Sequence, residues 1–261
     1  MNMYKPSSVR NFKLFIGELT AEAAAAHVSL LESQKSEREE KNYWNRKAKD
    51  AGIKLDGITS DRILDSQIRL SIVSIYSGFD LFLEEVETEF KQFGLKWEKP
   101  DKVPPLEVLE KNFTKQPDDK TYFRYKTDAI DYFRVLRNSI AHPSEENKSK
   151  AIDFYKSRSK SLGHIRDEYN MVSAPNEPGS ISFHDIKFWC QLLLDFTESV
   201  ARLLEPEERM IYSKVPFEKW KKYGKNHEKL KKAAKNYIHS EYSYSLNRAN
   251  EIVEKFYDPL A

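Results

Sequence analysis

Arg137-Asn138-Ser139-Ile140-Ala141-His142-Pro143 brings a permanent cation, an amide and an imidazole together in one short stretch. Residues turn by about 100° each on a helix, so Asn138 and His142 share a face with Asp131 and Arg134. Arg137 falls at the edge of the apolar face beside Phe133, and a partly desolvated guanidinium there wants an acidic partner. The preceding helix offers Asp80 first and Glu84 second. In an unbroken helix Arg137 and His142 diverge by about 140°. Pro143 forces the chain out of the helix near His142, which lets the imidazole swing back toward the guanidinium. Histidine changes charge near neutral pH, so the pair suits phosphodiester chemistry: the imidazole moves protons and the guanidinium neutralises charge on phosphorus. The plainer alternative is a histidine satisfying a helix C-terminus and an arginine satisfying a buried acid.

The elements that must position this stretch are helical. Phe12, Ile16, Leu19, Ala23, Ala26 and Leu30 recur at helical steps, in a helix whose polar continuation runs toward Tyr43 and Trp44. The clearest seam is Leu64, Ile68, Ile72, Ile75, Phe79, Phe82 and Val86, flanked by Asp80, Glu84 and Glu87. A proline-rich connection, residues 94–119, holds a short helix over Leu106–Phe113. The motif helix spans about 121–141, with Ala129, Phe133, Leu136 and Ile140 on its core face. A further helix is expected over Lys148–Lys160. Ser182 and Asp185 make a capping box for a helix carrying Ile186, Trp189, Leu193, Phe196, Val200 and Leu203. Leu246, Ala249, Ile252, Val253 and Phe256 form a last amphipathic helix. No strand pattern emerges, so the expectation is all-α: an antiparallel bundle with a long N-terminal helix and a basic helical C-terminal extension. The expected division is 1–58, an N-terminal helix packing on the bundle; 59–205, the bundle; and 206–261, the extension.

Composition sets limits. The chain of 261 residues carries 43 Lys plus Arg against 41 Asp plus Glu, so any affinity for nucleic acid must be local. Fifteen Phe, 14 Tyr and 4 Trp supply a core. The lone Cys190 excludes an internal disulfide and cysteine-rich metal sites, and fits a reducing, cytoplasmic setting. No apolar run approaches bilayer length, and no signal peptide or membrane partner is expected. His27, His164, His184, His227 and His239 show no metal-ligand spacing, and no phosphate-binding loop or nucleophile elbow occurs. Between Lys214 and Lys235, nine lysines face only Glu218 and Glu228. Lys219, Lys221, Lys222 and Lys225, with Tyr223 and with Arg134 on the motif helix, are the candidate RNA contacts: cations for phosphates and a ring for a base. The alternative for this segment is a solvated face whose rings turn inward.

Arg137 to His142 resembles the Arg-x4-His signature of the HEPN superfamily, with Asn138 directly after the arginine, as is frequent in that family. The helix before it (Ser71 to Leu83) and the one after it (Phe183 to Leu204) agree. The resemblance covers about residues 60–205; residues 1–58 and 206–261 lie outside it. It implies a metal-independent endoribonuclease that needs no cofactor, with Arg137, Asn138 and His142 catalytic and Asp80, backed by Glu84, supporting the arginine. Many members are toxins or antiviral effectors acting as homodimers, with two motifs in one cleft, and an antitoxin or other regulatory partner is compatible with such a role. The implied reaction is attack of the ribose 2′-hydroxyl on the adjacent phosphate, leaving a 2′,3′-cyclic phosphate and a 5′-hydroxyl. Some members are silent and bind only a protein, a nucleotide or RNA. A plain helical scaffold is the third possibility.

Overall fold

The computed structural model describes residues 4–224 and 226–257, without the side chain at position 221. Among the described residues there is no strand. The α-helices are α1 (Ser7–Glu39), α2 (Tyr43–Asp50), α3 (Ser60–Gln92), α4 (Pro105–Lys111), α5 (Lys120–Ala141), α6 (Glu145–Ser157), α7 (Ser159–Glu168), α8 (Phe183–Leu203), α9 (Glu208–Ser213), α10 (His227–Tyr242) and α11 (Leu246–Phe256), with a 3-10 segment over Phe217–Tyr223. The all-α class is as the periodicity predicts. Boundaries differ where local chemistry outweighs apolar period. α1 stops at Glu39 rather than running on to Trp44, because Asn42 adopts a left-handed conformation (φ 75) and turns the chain into α2. α6 starts at Glu145, three residues before the expected Lys148, because Ser144 caps it through its hydroxyl. α7, too polar to announce itself, follows directly.

The chain forms two compact units whose boundaries fall inside α1, α3 and α8 and after the first residue of α5. One comprises the described parts of Met1–Lys13, Asp80–Lys120 and Asp195–Ala261; the other comprises Leu14–Phe79 and Thr121–Leu194. In the second unit, Ile72, Ile75 and Phe79 of α3, Ala129, Phe133 and Leu136 of α5, and Ile186, Trp189 and Leu193 of α8 are buried. Phe133 stacks on Trp189 with ring centroids 4.5 Å apart. Ile16 and Ala23 of α1 are buried in the core. Gly78 lets Phe15 of α1 lie against α3: a Cβ at that position would meet the ring at 2.0 Å. Ser182 starts α8 as predicted, its N–H donating to Asp185 at 2.8 Å while its hydroxyl accepts from the His184 N–H. Cys190 is buried beside these residues, and burial pushes its thiol pKa up to about 11, in line with a packed, unreactive sulfhydryl.

In the first unit, α10 and α11 pack as a pair through Ala234, Ile238, Ala249, Ile252 and Val253, all buried. Glu208 of α9 ties α11 down by ion pairs to Arg248 and to Lys255, the latter at 2.7 Å.

α1 is long and apolar enough to cross a membrane by length and composition alone. Its most apolar window has mean hydropathy 1.3, with 11% of it buried. This departs from the expectation that no apolar run approaches bilayer length; Glu18 and Glu22 interrupt the apolar stretch without lowering its mean hydropathy below that test.

Candidate functional site

Phe133 and Leu136 point α5 into the core, and this sets the outward direction of the residues that follow. Arg137 is half-buried on the flank. Its guanidinium carbon lies 5.5 Å from the ring centroid of Tyr76 on α3. Tyr76 is itself buried, 5.9 Å from Trp189, which stacks on Phe133. The guanidinium thus sits at the end of an aromatic column in which every ring is fixed by the next. A ring face attracts a cation without supplying a counter-charge. Arg137 Nη1 donates to Asn138 Oδ1 at 3.0 Å. Its Nε is buried with no hydrogen-bond partner among the described residues. That is a costly arrangement for a residue whose only task is stability.

His142 is exposed immediately beyond the last turn of α5. Its N–H donates to the Asn138 carbonyl at 2.9 Å, which keeps it in helical register although α5 ends at Ala141. Its carbonyl is gripped from the other side. The Ser144 N–H and Asn147 Nδ2 both donate to it at 2.8 Å. Ser144 in turn caps α6 by accepting from the Asn147 N–H at 3.1 Å. The backbone at His142 is therefore clamped between the end of α5 and the start of α6, while the imidazole stands in solvent and hydrogen-bonds to no described residue. The expected swing of the ring onto Arg137 is not made within the single chain.

Tyr76, Ser144 and Asn147 escaped the sequence reading. Pro143-Ser144-Glu145-Glu146 carries a cap signature that would have found the second. Tyr76 lies one turn before Asp80, beside the apolar seam, and only packing reveals what it carries.

Asn138 is brought to Arg137, and Arg134 is paired with Asp131 at 2.9 Å on the same stripe. Asp80 and Glu84 belong to the first unit, where both line a cavity with Trp97. Lys219, Lys222 and Tyr223 are in the first unit too, on the 3-10 segment, which kinks at Trp220 (φ −114, ψ 17). Both lysines are exposed. Lys222 Nζ lies 5.6 Å from the Tyr223 ring centroid. Phe217 and Trp220 turn their rings on each other and on Tyr212 and Tyr237. The rings of Phe217 and Trp220 thus pack on neighbouring aromatics while these two lysines face water. The side chain of Lys221, and Lys225 altogether, lie outside the described residues. Among the described residues no three His, Cys, Asp or Glu side chains gather as a metal-holding set. Comparison with known protein families, with curated protein sequences and with solved structures finds no match.

Proposed function

We propose that the chain is a metal-independent endoribonuclease with a HEPN-like bundle, acting as a homodimer in the manner of a toxin or antiviral-defence effector. The observation that carries this reading is a half-buried, ring-supported Arg137 placed one helical turn from the end of α5, where the backbone of the solvent-facing His142 is clamped. Asn138 touches both, through its side chain to the arginine and through its carbonyl to the histidine N–H. In the proposed reaction the ribose 2′-oxygen attacks phosphorus and the bond from phosphorus to the 5′-oxygen breaks. A 2′,3′-cyclic phosphate and a 5′-hydroxyl remain. His142 takes the proton from the 2′-hydroxyl or gives one to the leaving 5′-oxygen. Arg137 neutralises the charge that builds on the phosphoryl oxygens. DNA, lacking the 2′-hydroxyl, is not a substrate. Lys219 and Lys222 contribute contacts to the phosphate backbone.

The test is cleavage of total RNA by the purified chain in excess EDTA, with product ends mapped. His142→Ala and Arg137→Ala are each expected to lower the rate by about 10²- to 10⁴-fold. Wild-type cleavage that survives both substitutions overturns the reading. The second reading, a silent HEPN-like module that binds RNA, a nucleotide or a partner protein, is favoured by the imidazole of His142, whose ring hydrogen-bonds to no described residue. For an RNA-binding module, no cleavage by the wild type, with RNA binding lost in Arg137→Ala, would select it.

A further inference from the structure

We propose that the outward face of α10 binds the phosphate backbone of a nucleic-acid strand, DNA as well as RNA. At about 100° per residue, Lys229, Lys232 and Asn236 fall within about 60° of one another, with Lys235 on the flank of the same row. Lys229, Lys232 and Asn236 are exposed and Lys235 is half-buried. Ala234 and Ile238, on the opposite side of the helix, are buried, and α10 packs there on α11. The start of the helix is fixed by Asn226, whose side chain accepts from the Lys229 N–H at 3.0 Å. The row therefore stands on a capped and packed support and extends about 10 Å.

The charges of the row are not met by the described residues. Lys231, on the side toward α11, pairs with Glu254 at 2.7 Å. Lys229, Lys232 and Lys235 have no ion pair among the described residues. Of the two carboxylates on α10, Glu228 lies beside the row and Glu241 falls on another side of the helix, so the row remains net positive. Lysines three residues apart repel one another, a cost that a polyanion relieves.

Other partners meet an obstacle. A bilayer surface needs apolar side chains to enter it, and none of the exposed large hydrophobic residues lies on α10. A protein partner needs an aromatic or apolar anchor, and the row has none. A nucleic-acid strand asks only for cations and an amide along its phosphates, and such contacts carry no sequence preference. They do not read the 2′-hydroxyl either, so DNA is held as RNA is.

The experiment is fluorescence anisotropy of a labelled oligodeoxythymidine titrated with the full chain over a series of salt concentrations. Saturable binding is expected, with log affinity falling linearly as log salt rises. Lys229→Gln, Lys232→Gln and Lys235→Gln should each reduce that slope by about 0.7, and the triple variant should bind about tenfold more weakly or worse at low salt. Glutamine suits a helix about as well as lysine, so circular dichroism should show the fold unchanged. Lys41→Gln, exposed and outside α10, should bind as the wild type does. His142→Ala should too, which separates this surface from the nuclease reading. No saturable binding at low salt overturns the proposal. So does a slope that the triple variant leaves unchanged, or one that Lys41→Gln reduces as much as Lys232→Gln. Displacement of the DNA by polyglutamate as effective as by unlabelled oligodeoxythymidine would also overturn it, in favour of an acidic protein.

Discussion

At Arg137 a stability cost and a stabilising contact meet in one side chain. A buried, unpartnered N–H costs about 1–3 kcal/mol, while a cation over a ring returns about 0.5–2 kcal/mol. The two nearly cancel. An apolar side chain of similar length abolishes the cost and still packs on Tyr76. Arg137→Met is therefore expected to unfold in urea at the same midpoint as the wild type or a higher one, while losing cleavage. A structural arginine predicts the opposite, a loss above about 1 kcal/mol, as is usual when a buried polar network is broken. Tyr76 separates the contributions from the other side. Tyr76→Phe keeps the ring face and should keep the cleavage rate. Tyr76→Leu removes the face and should lower kcat more than it raises KM, because a loosened guanidinium fails chiefly in the transition state.

At the scale of elements, the clamp on His142 is a property of the junction between α5 and α6. Asn147→Ala removes the side-chain donor to the His142 carbonyl. It should cost about 0.5–1.5 kcal/mol in stability, and it should slow cleavage further because the backbone that aims the imidazole is loosened. Unchanged cleavage in this variant would mean that the junction does not position the histidine.

A second junction responds to pH. Glu208 has its carboxyl held low, by Lys255 first and then by Arg248, so it remains ionised in the folded chain below its ordinary value of 4.5. A lowered folded-state pKa means stability that is fully present above 4.5 and is lost as acid titrates the folded carboxylate. The docking of α9 on α11 should therefore weaken in that acid range. Glu208→Gln should flatten this part of a pH-dependent unfolding curve; an identical curve would remove Glu208 from the account.

The α3 seam was legible in the sequence because every one of its apolar positions, Leu64 to Val86, is buried. The motif was legible because its residues are contiguous. The ring under Arg137 was not, since Tyr76 and Arg137 lie on different helices and no local pattern joins them. The start of α6 departs from the apolar period because the cap carried by Pro143-Ser144-Glu145-Glu146 outweighs it.

For the molecule as a whole, the exposed imidazole asks where its partner comes from. Within one chain His142 has its backbone fixed and its ring unengaged. A composite site in a homodimer answers this by letting the arginine of one protomer act with the histidine of the other. That arrangement makes a prediction no single-chain site shares. Arg137→Ala and His142→Ala are each expected to be inactive alone. Mixed and allowed to exchange subunits, they pair at random, and about half of the dimers become mixed, each holding one intact arginine and one intact histidine on opposite protomers. If the reacting pair is formed across the interface, cleavage returns to a fraction of the wild-type rate, and the recovery follows the kinetics of subunit exchange. If each protomer works with its own pair, every mixed dimer still lacks a complete site and mixing restores nothing. Sedimentation of the mixture, with one variant carrying a fluorescent label, measures the exchange independently, so a failure of rescue is read only once mixed dimers are present. Rescue would place the reacting pair across the interface; its absence, with exchange demonstrated, would return catalysis to the single chain and require a movement of His142 toward Arg137.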